Sequence, residues 1–109
     1  MTIDVAHPPR HPDIVEKELL SAMRIAQSSP GVRILKIVHG SGSQGRENPT
    51  TTTARNFLFR NRTKFRAIIN GEDYTLFDVA TQEMRKVVGS YSDVDLGMAN
   101  GGITVAWVK

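Results

Sequence analysis

The chain has 109 residues, with 14 Lys+Arg against 11 Asp+Glu, three histidines and no cysteine. That length suits one hydrophobic core, and a content of 39% hydrophobic and 23% charged residues belongs to a globular chain rather than a disordered one. Lack of cysteine excludes a disulfide framework, a cysteine zinc site and a thiol nucleophile; no apolar run approaches the roughly 18 residues of a bilayer span, and the opening MTIDVAHPPRHP lacks the apolar stretch of a secretory signal. The expectation is a cytoplasmic monomer with no membrane association.

Residues 2–5 alternate polar and apolar and predict a short strand, stopped by His7-Pro8-Pro9. Asp13 is the expected N-cap of a first helix, with Glu16 completing a capping box. Val15, Leu19, Ala22, Met23 and Ala26 give that helix one apolar face, and Ser28-Ser29-Pro30-Gly31 ends it. Residues 32–38 are apolar on both faces, as a central strand covered on both sides would be. A glycine-rich loop follows, then Asn48-Pro49 as N-cap and first turn of a second helix running to about Asn61 and burying Ala54, Phe57 and Leu58. Residues 64–70 predict a third strand, turning at Asn70-Gly71. Residues 73–77 either return as a hairpin arm or cross to a third helix, which Asp78 caps, Val79, Met84, Val87 and Val88 stripe, and Gly89 ends. A turn at 99–102 leads to a terminal strand at 103–108. The sum is one α/β (α+β) domain over 1–109, a small two-layer sandwich with a mixed sheet of about four strands and three helices. Its first two strands, joined by one helix, should be parallel, so that their carboxyl ends form one rim where ligands of open α/β sheets bind.

The residues able to carry chemistry cluster in two places. Arg46, Arg55, Arg60, Arg62, Lys64 and Arg66 fall within one stretch, and no acid separates Glu47 from Glu72. Such a stretch is either a seat for phosphates or a solvated face whose arginine stems cover apolar neighbours. Just before it, Gly40, Gly42 and Gly45, with Ser41 and Ser43 between them, let backbone N–H groups close around an anion at the start of the next helix; a tight loop is the alternative. The spacing also fits G-x-G-x-x-G, but Pro49 starts the helix too late for a dinucleotide site. His39 is placed either as general acid or base, or as a hydrogen-bond link across the strand ends. Asp4 lies on an inward-facing strand and would need a partner, either His39 or backbone amides, whereas His7 is expected to be exposed. A divalent cation could be held only where Asp4 and His39 converge. Phe57, Phe65 and Trp107 read as core, and Phe59 is the best candidate for an exposed ring able to stack on a base.

The order of these features resembles the small MutS-related (Smr) domain family. That family has a first strand ending in D-L-H-G, an amphipathic helix, a second strand followed by H-G-x-G, and a glycine turn before an apolar last strand. His39-Gly40-Ser41-Gly42 and residues 100–108 (NGGITVAWV) match the later motifs, and residues 70–78 (NGEDYTLFD) resemble a longer subset with an extra helix before the last strand. The first motif reads Asp4-Val5-Ala6-His7, with Ala6 at the histidine position and His7 one residue later, which strand alternation would turn to the opposite face. The resemblance implies a fold similar to the C-terminal domain of translation initiation factor three. It also implies binding to DNA or RNA, with the ribosome or a protein as a further partner, and an endonuclease activity that nicks DNA or cleaves RNA. Asp4, His39 and His7 would then be catalytic, with a divalent cation as the cofactor to test. The loop residues 40–43 and 45 and the basic residues Arg46, Arg55, Arg60, Arg62, Lys64 and Arg66 would hold nucleic acid. Loss of the motif histidine supports the alternative of a catalytically inactive RNA- or DNA-binding module, or one that binds protein.

Overall fold

Strand β4 (Ile103–Val108) is buried along its whole length, because it lies inside a four-stranded sheet with strands on both sides and helices above and below. In the computed structural model, which describes residues 1–41, 48–89 and 93–109, the strand order is β1 (Thr2–Asp4), β2 (Ile34–Val38), β4, β3 (Phe65–Asn70). Strand β2 is parallel to β1, pairing Asp4 with Val38, and antiparallel to β4, pairing Lys36 with Val105. Strand β3 is antiparallel to β4 from the other side. The carboxyl ends of β1, β2 and β3 therefore share one rim with the start of β4. The segment after β3 does not return as a hairpin arm but crosses through a short 3-10 turn at Gly71–Asp73 to a helix.

Three helices cover the sheet: α1 (Pro12–Ser28), α2 (Pro49–Arg60) and α3 (Val79–Val88). The apolar stripe Val15, Leu19, Ala22, Met23 and Ala26 of α1 joins Ala54, Phe57 and Leu58 of α2 over Leu35, Ile37, Ala106 and Val108. On the opposite face, Met84 of α3 and Tyr74 pack with Ile69, Ile103, Val105 and Trp107. The mixed sheet and three helices are those the sequence predicts. The layering is finer than a two-layer sandwich, since α3 and its flanking segments form a smaller layer on the second face. Strands β2 and β4 alternate side chains between two apolar faces, and both faces have to be covered.

Local chemistry sets the helix ends. Asn48 accepts from the Thr51 N–H at 2.8 Å and Asp78 from the Thr81 N–H at 2.9 Å, so both predicted caps form. Helix α1 starts earlier than expected. Pro12, which has no N–H to satisfy, occupies the first helical position, and the His11 ring accepts from the Asp13 N–H at 3.1 Å. Asp13 is thus inside the first turn, and Glu16 bonds Arg60 of α2 at 2.6 Å instead of closing a capping box. In α3 the stripe is narrower than predicted: Thr81 and Met84 are buried, while Val79 and Val87 stay exposed. Gly71 admits no side chain, because a Cβ there would lie 1.8 Å from the Asn100 carbonyl oxygen. That contact closes the turn after β3 onto the turn before β4.

The second layer is pinned by charge. Lys36, on β2, bonds Asp93 at 2.6 Å and Asp95 at 2.8 Å, and the Tyr74 hydroxyl donates to Asp93 at 2.9 Å. Burial works against Asp93 as an anion, but the bonds from Lys36, the Asp95 N–H and Tyr74 outweigh it and hold its carboxyl below the usual range. Burial likewise works against the Lys36 cation, and the two carboxylates outweigh it and raise its pKa. The signs follow by linkage. Asp93 contributes stability above its unfolded pKa that is lost as pH falls through the lowered folded value. Lys36 contributes stability below its unfolded pKa that is lost as pH rises through the raised folded value. Lys36→Met, which leaves two carboxylates facing each other, is expected to cost roughly 3 kcal/mol at neutral pH and to flatten both limbs of the stability–pH curve, as urea denaturation midpoints across pH would show.

Candidate functional site

His39 follows β2 directly and is completely buried. Its Nδ1 lies 2.9 Å from the Gly40 carbonyl oxygen and 3.1 Å from Thr51 Oγ1, and its Nε2 lies 2.9 Å from Thr104 Oγ1. A carbonyl oxygen only accepts, so Nδ1 carries a proton. Arg55 Nε extends the chain by donating to Thr104 Oγ1 at 3.4 Å, and the Arg55 guanidinium bonds Glu72 at 2.6 Å. One imidazole thus joins the end of β2, the first turn of α2 and the start of β4. Burial opposes the Glu72 charge, yet the Arg55 bond outweighs it and keeps that carboxyl below its ordinary range. Of the two roles read for His39, the structure supports the hydrogen-bond link, since no surface of the ring meets solvent to exchange a proton with a substrate.

Asp4 does not meet His39. It is half exposed at the end of β1, where its Oδ1 accepts from the backbone N–H of Ala6 at 2.8 Å and of His7 at 3.0 Å, and its Oδ2 lies 3.0 Å from His7 Nδ1. Burial acts against its charge, and these hydrogen bonds overcome it, lowering its pKa. Strand alternation fails here because the backbone bends over residues 5–8, which brings His7 back beside Asp4 instead of to the opposite face. Of the two partners read for Asp4, it has the backbone amides and not His39; the His7 ring is added, and the convergence of Asp4 and His39 that a shared cation would need is not formed. No group of three His, Asp or Glu side chains gathers among the described residues.

His7 lines an open cleft of about 670 Å³ with Ala6, Gly40, Ser41, Asn48 and Asn100. Gly40 has φ +75°, which favours glycine, and a Cβ there would crowd Asn48 Nδ2 at 3.1 Å. Two of the amides read as an anion cradle are already used. The Gly40 N–H donates to the Gly102 carbonyl at 3.1 Å, and Asn48 takes the Thr51 N–H. Gly42, Ser43, Gly45 and Arg46 lie outside the described residues.

The basic stretch divides. Arg60 turns to Glu16 on the α1 side, away from the others. Arg55, Phe59 and Arg62 instead face the free edge of β3 across a groove of about 530 Å³, with Arg66, Ile68 and Asn70 on the strand side. Phe59 is 63% exposed, as its place between inward-facing helix positions predicts. The Arg62 guanidinium sits 4.3 Å from the Phe59 ring centroid, and that of Arg66 sits 5.5 Å from the Trp107 centroid. Arg66 is displaced outward by a register irregularity between Phe65 and Ala67. Among the described residues, Arg62, Lys64 and Arg66 have no carboxylate within ion-pair distance.

Sequence reasoning missed Thr51 and Thr104. A hydroxyl within an all-buried strand needs a partner, and that is the available signal for Thr104. No protein-family profile, curated protein or solved structure matches the chain. No helix among the described residues is long and apolar enough to cross a membrane. Replacing the buried ring should expose its role: His39→Ala is expected to cost roughly 3 kcal/mol through the cavity and the stranded hydroxyls. His7→Ala, at an exposed position, should stay within about 0.5 kcal/mol of the parent, both read from urea denaturation.

Proposed function

We propose that this domain binds nucleic acid along the groove between α2 and β3, as its resemblance to Smr domains leads one to expect. The observation that carries the reading is the grouping of Arg62, Lys64 and Arg66, all without carboxylate partners among the described residues, beside the exposed ring of Phe59. Cations held next to an aromatic face suit a polyanion whose bases can stack. Arg55 and Arg60 contribute less, because each already has a carboxylate. Titration with short RNA and DNA should give affinity that falls steeply with salt, as bound counterions are released. Arg62→Ala and Arg66→Ala should each weaken binding across sequences and reduce the salt slope by about one. An absence of binding at low salt would overturn the reading.

The Asp4–His7 pair favours a second reading, cleavage of RNA at the adjoining cleft. With Nδ1–H directed to the Asp4 carboxylate, His7 Nε2 is placed to take the proton of a 2′-hydroxyl. The 2′-oxygen would attack phosphorus, and the 5′-oxygen would leave and take a proton from solvent. On this reading products form with the parent protein and disappear in His7→Ala, with folding unchanged. Cleavage that survives His7→Ala refutes it.

A further inference from the structure

Phe77 is 93% exposed, and Leu76 and Val79 beside it are also in solvent. An apolar tip of this kind on a loose loop would mean little, but this one is held in place. The Phe77 N–H donates to Thr75 Oγ1 at 3.2 Å, the Asp78 N–H to the Thr75 carbonyl at 3.2 Å, and Gln82 Nε2 to the Leu76 carbonyl at 2.8 Å. Behind it, Tyr74 is fully buried, its carbonyl accepting from the Gly97 N–H and its hydroxyl bonding Asp93. A rigid backbone that presents a phenylalanine to water has already met the ordering cost of binding, as interface anchors do. The sequence on either side of the tip is acidic, with Glu72, Asp73, Asp78 and Glu83.

We propose that a second copy of this chain receives Phe77 in its α2–β3 groove. The groove has the complementary character: apolar walls from Phe59, Phe65 and Ile68, and a rim of Arg55, Arg62 and Arg66. At about 530 Å³ it has room for an aromatic side chain. The two halves adjoin on one molecule, since Glu72 at the foot of the knob bonds Arg55 at the groove rim at 2.6 Å. In a closed two-fold dimer each copy would give its knob to the other's groove. The inference departs from the monomer expected from sequence. It rests on residues 76–79, which the nucleic-acid reading does not use, and nucleic acid would compete for the same groove.

Sedimentation of the whole chain over a concentration series tests it, with no nucleic acid present. The average mass should rise from that of the 12.1 kDa chain toward twice that value. Phe77→Ser and Arg66→Glu, both at exposed positions, should each remain monomeric. An equimolar mixture of the two should associate again, more weakly than the parent, because one supplies an intact groove and the other an intact knob. A parent that stays monomeric at every concentration overturns the proposal, as does unchanged association in Phe77→Ser or a mixture that fails to associate. Phe77→Ser, whose groove is left open, should bind oligonucleotide at least as tightly as the parent, so a failure of self-association and a failure of nucleic-acid binding are separately visible.

Discussion

A fully buried imidazole bonded at both ring nitrogens sets the geometry of the functional rim. His39 can satisfy Gly40, Thr51 and Thr104 together only if the end of β2, the first turn of α2 and the start of β4 are all in register. The left-handed turn at Gly40 and the position of Asn48 follow from that arrangement, and the cleft wall follows from them. A buried polar group of this kind is costly unless every partner is in place, so it selects one packing among the several that an apolar core alone would tolerate. His39 is enclosed in this network, and His7 is exposed at the cleft beside it.

The charges of the molecule do two kinds of work, and burial separates them. Lys36, Asp93 and Asp95 turn inward and fasten the smaller layer to the sheet, while Arg55 and Glu72 connect the buried network to the surface. Arg66 remains outward on β3, a strand at the edge of the sheet, and Arg62 and Lys64 lie exposed in the 3-10 turn that leads into it. Basic side chains on such an edge discourage indiscriminate strand pairing. They also leave the cationic surface narrower than the linear run of arginines suggests, because Arg60 is drawn to the opposite side by Glu16.

The fold was largely legible because periodicity and punctuation agreed. The α1 stripe, the caps at Asn48 and Asp78, and the two-sided apolar strand β2 all carry information within a few residues. What was not legible depends on distant parts of the chain. Asp4 reads as an inward acid needing His39 or backbone amides, and a local bend gives it two amides together with the His7 ring. Lys36 reads as an ordinary polar break in a strand until Asp93 and Asp95, far along the sequence, are brought over it. His39 fits a general base equally well by position, and its enclosure by Thr51 and Thr104 is visible only in the fold. The start of α1 was misjudged for a smaller reason: Asp13 is the better capping residue in isolation, but Pro12 is the better first helical residue.

The chain contains a single tryptophan, and it is the one beneath Arg66. Trp107 is almost wholly buried, so water scarcely touches its indole, and the Arg66 guanidinium lies over its face. Any occupant of the groove that draws this arginine outward would change the electric field across the ring. The protein therefore carries its own optical reporter, a fluorophore whose emission should register what settles on the edge of the sheet without any added label.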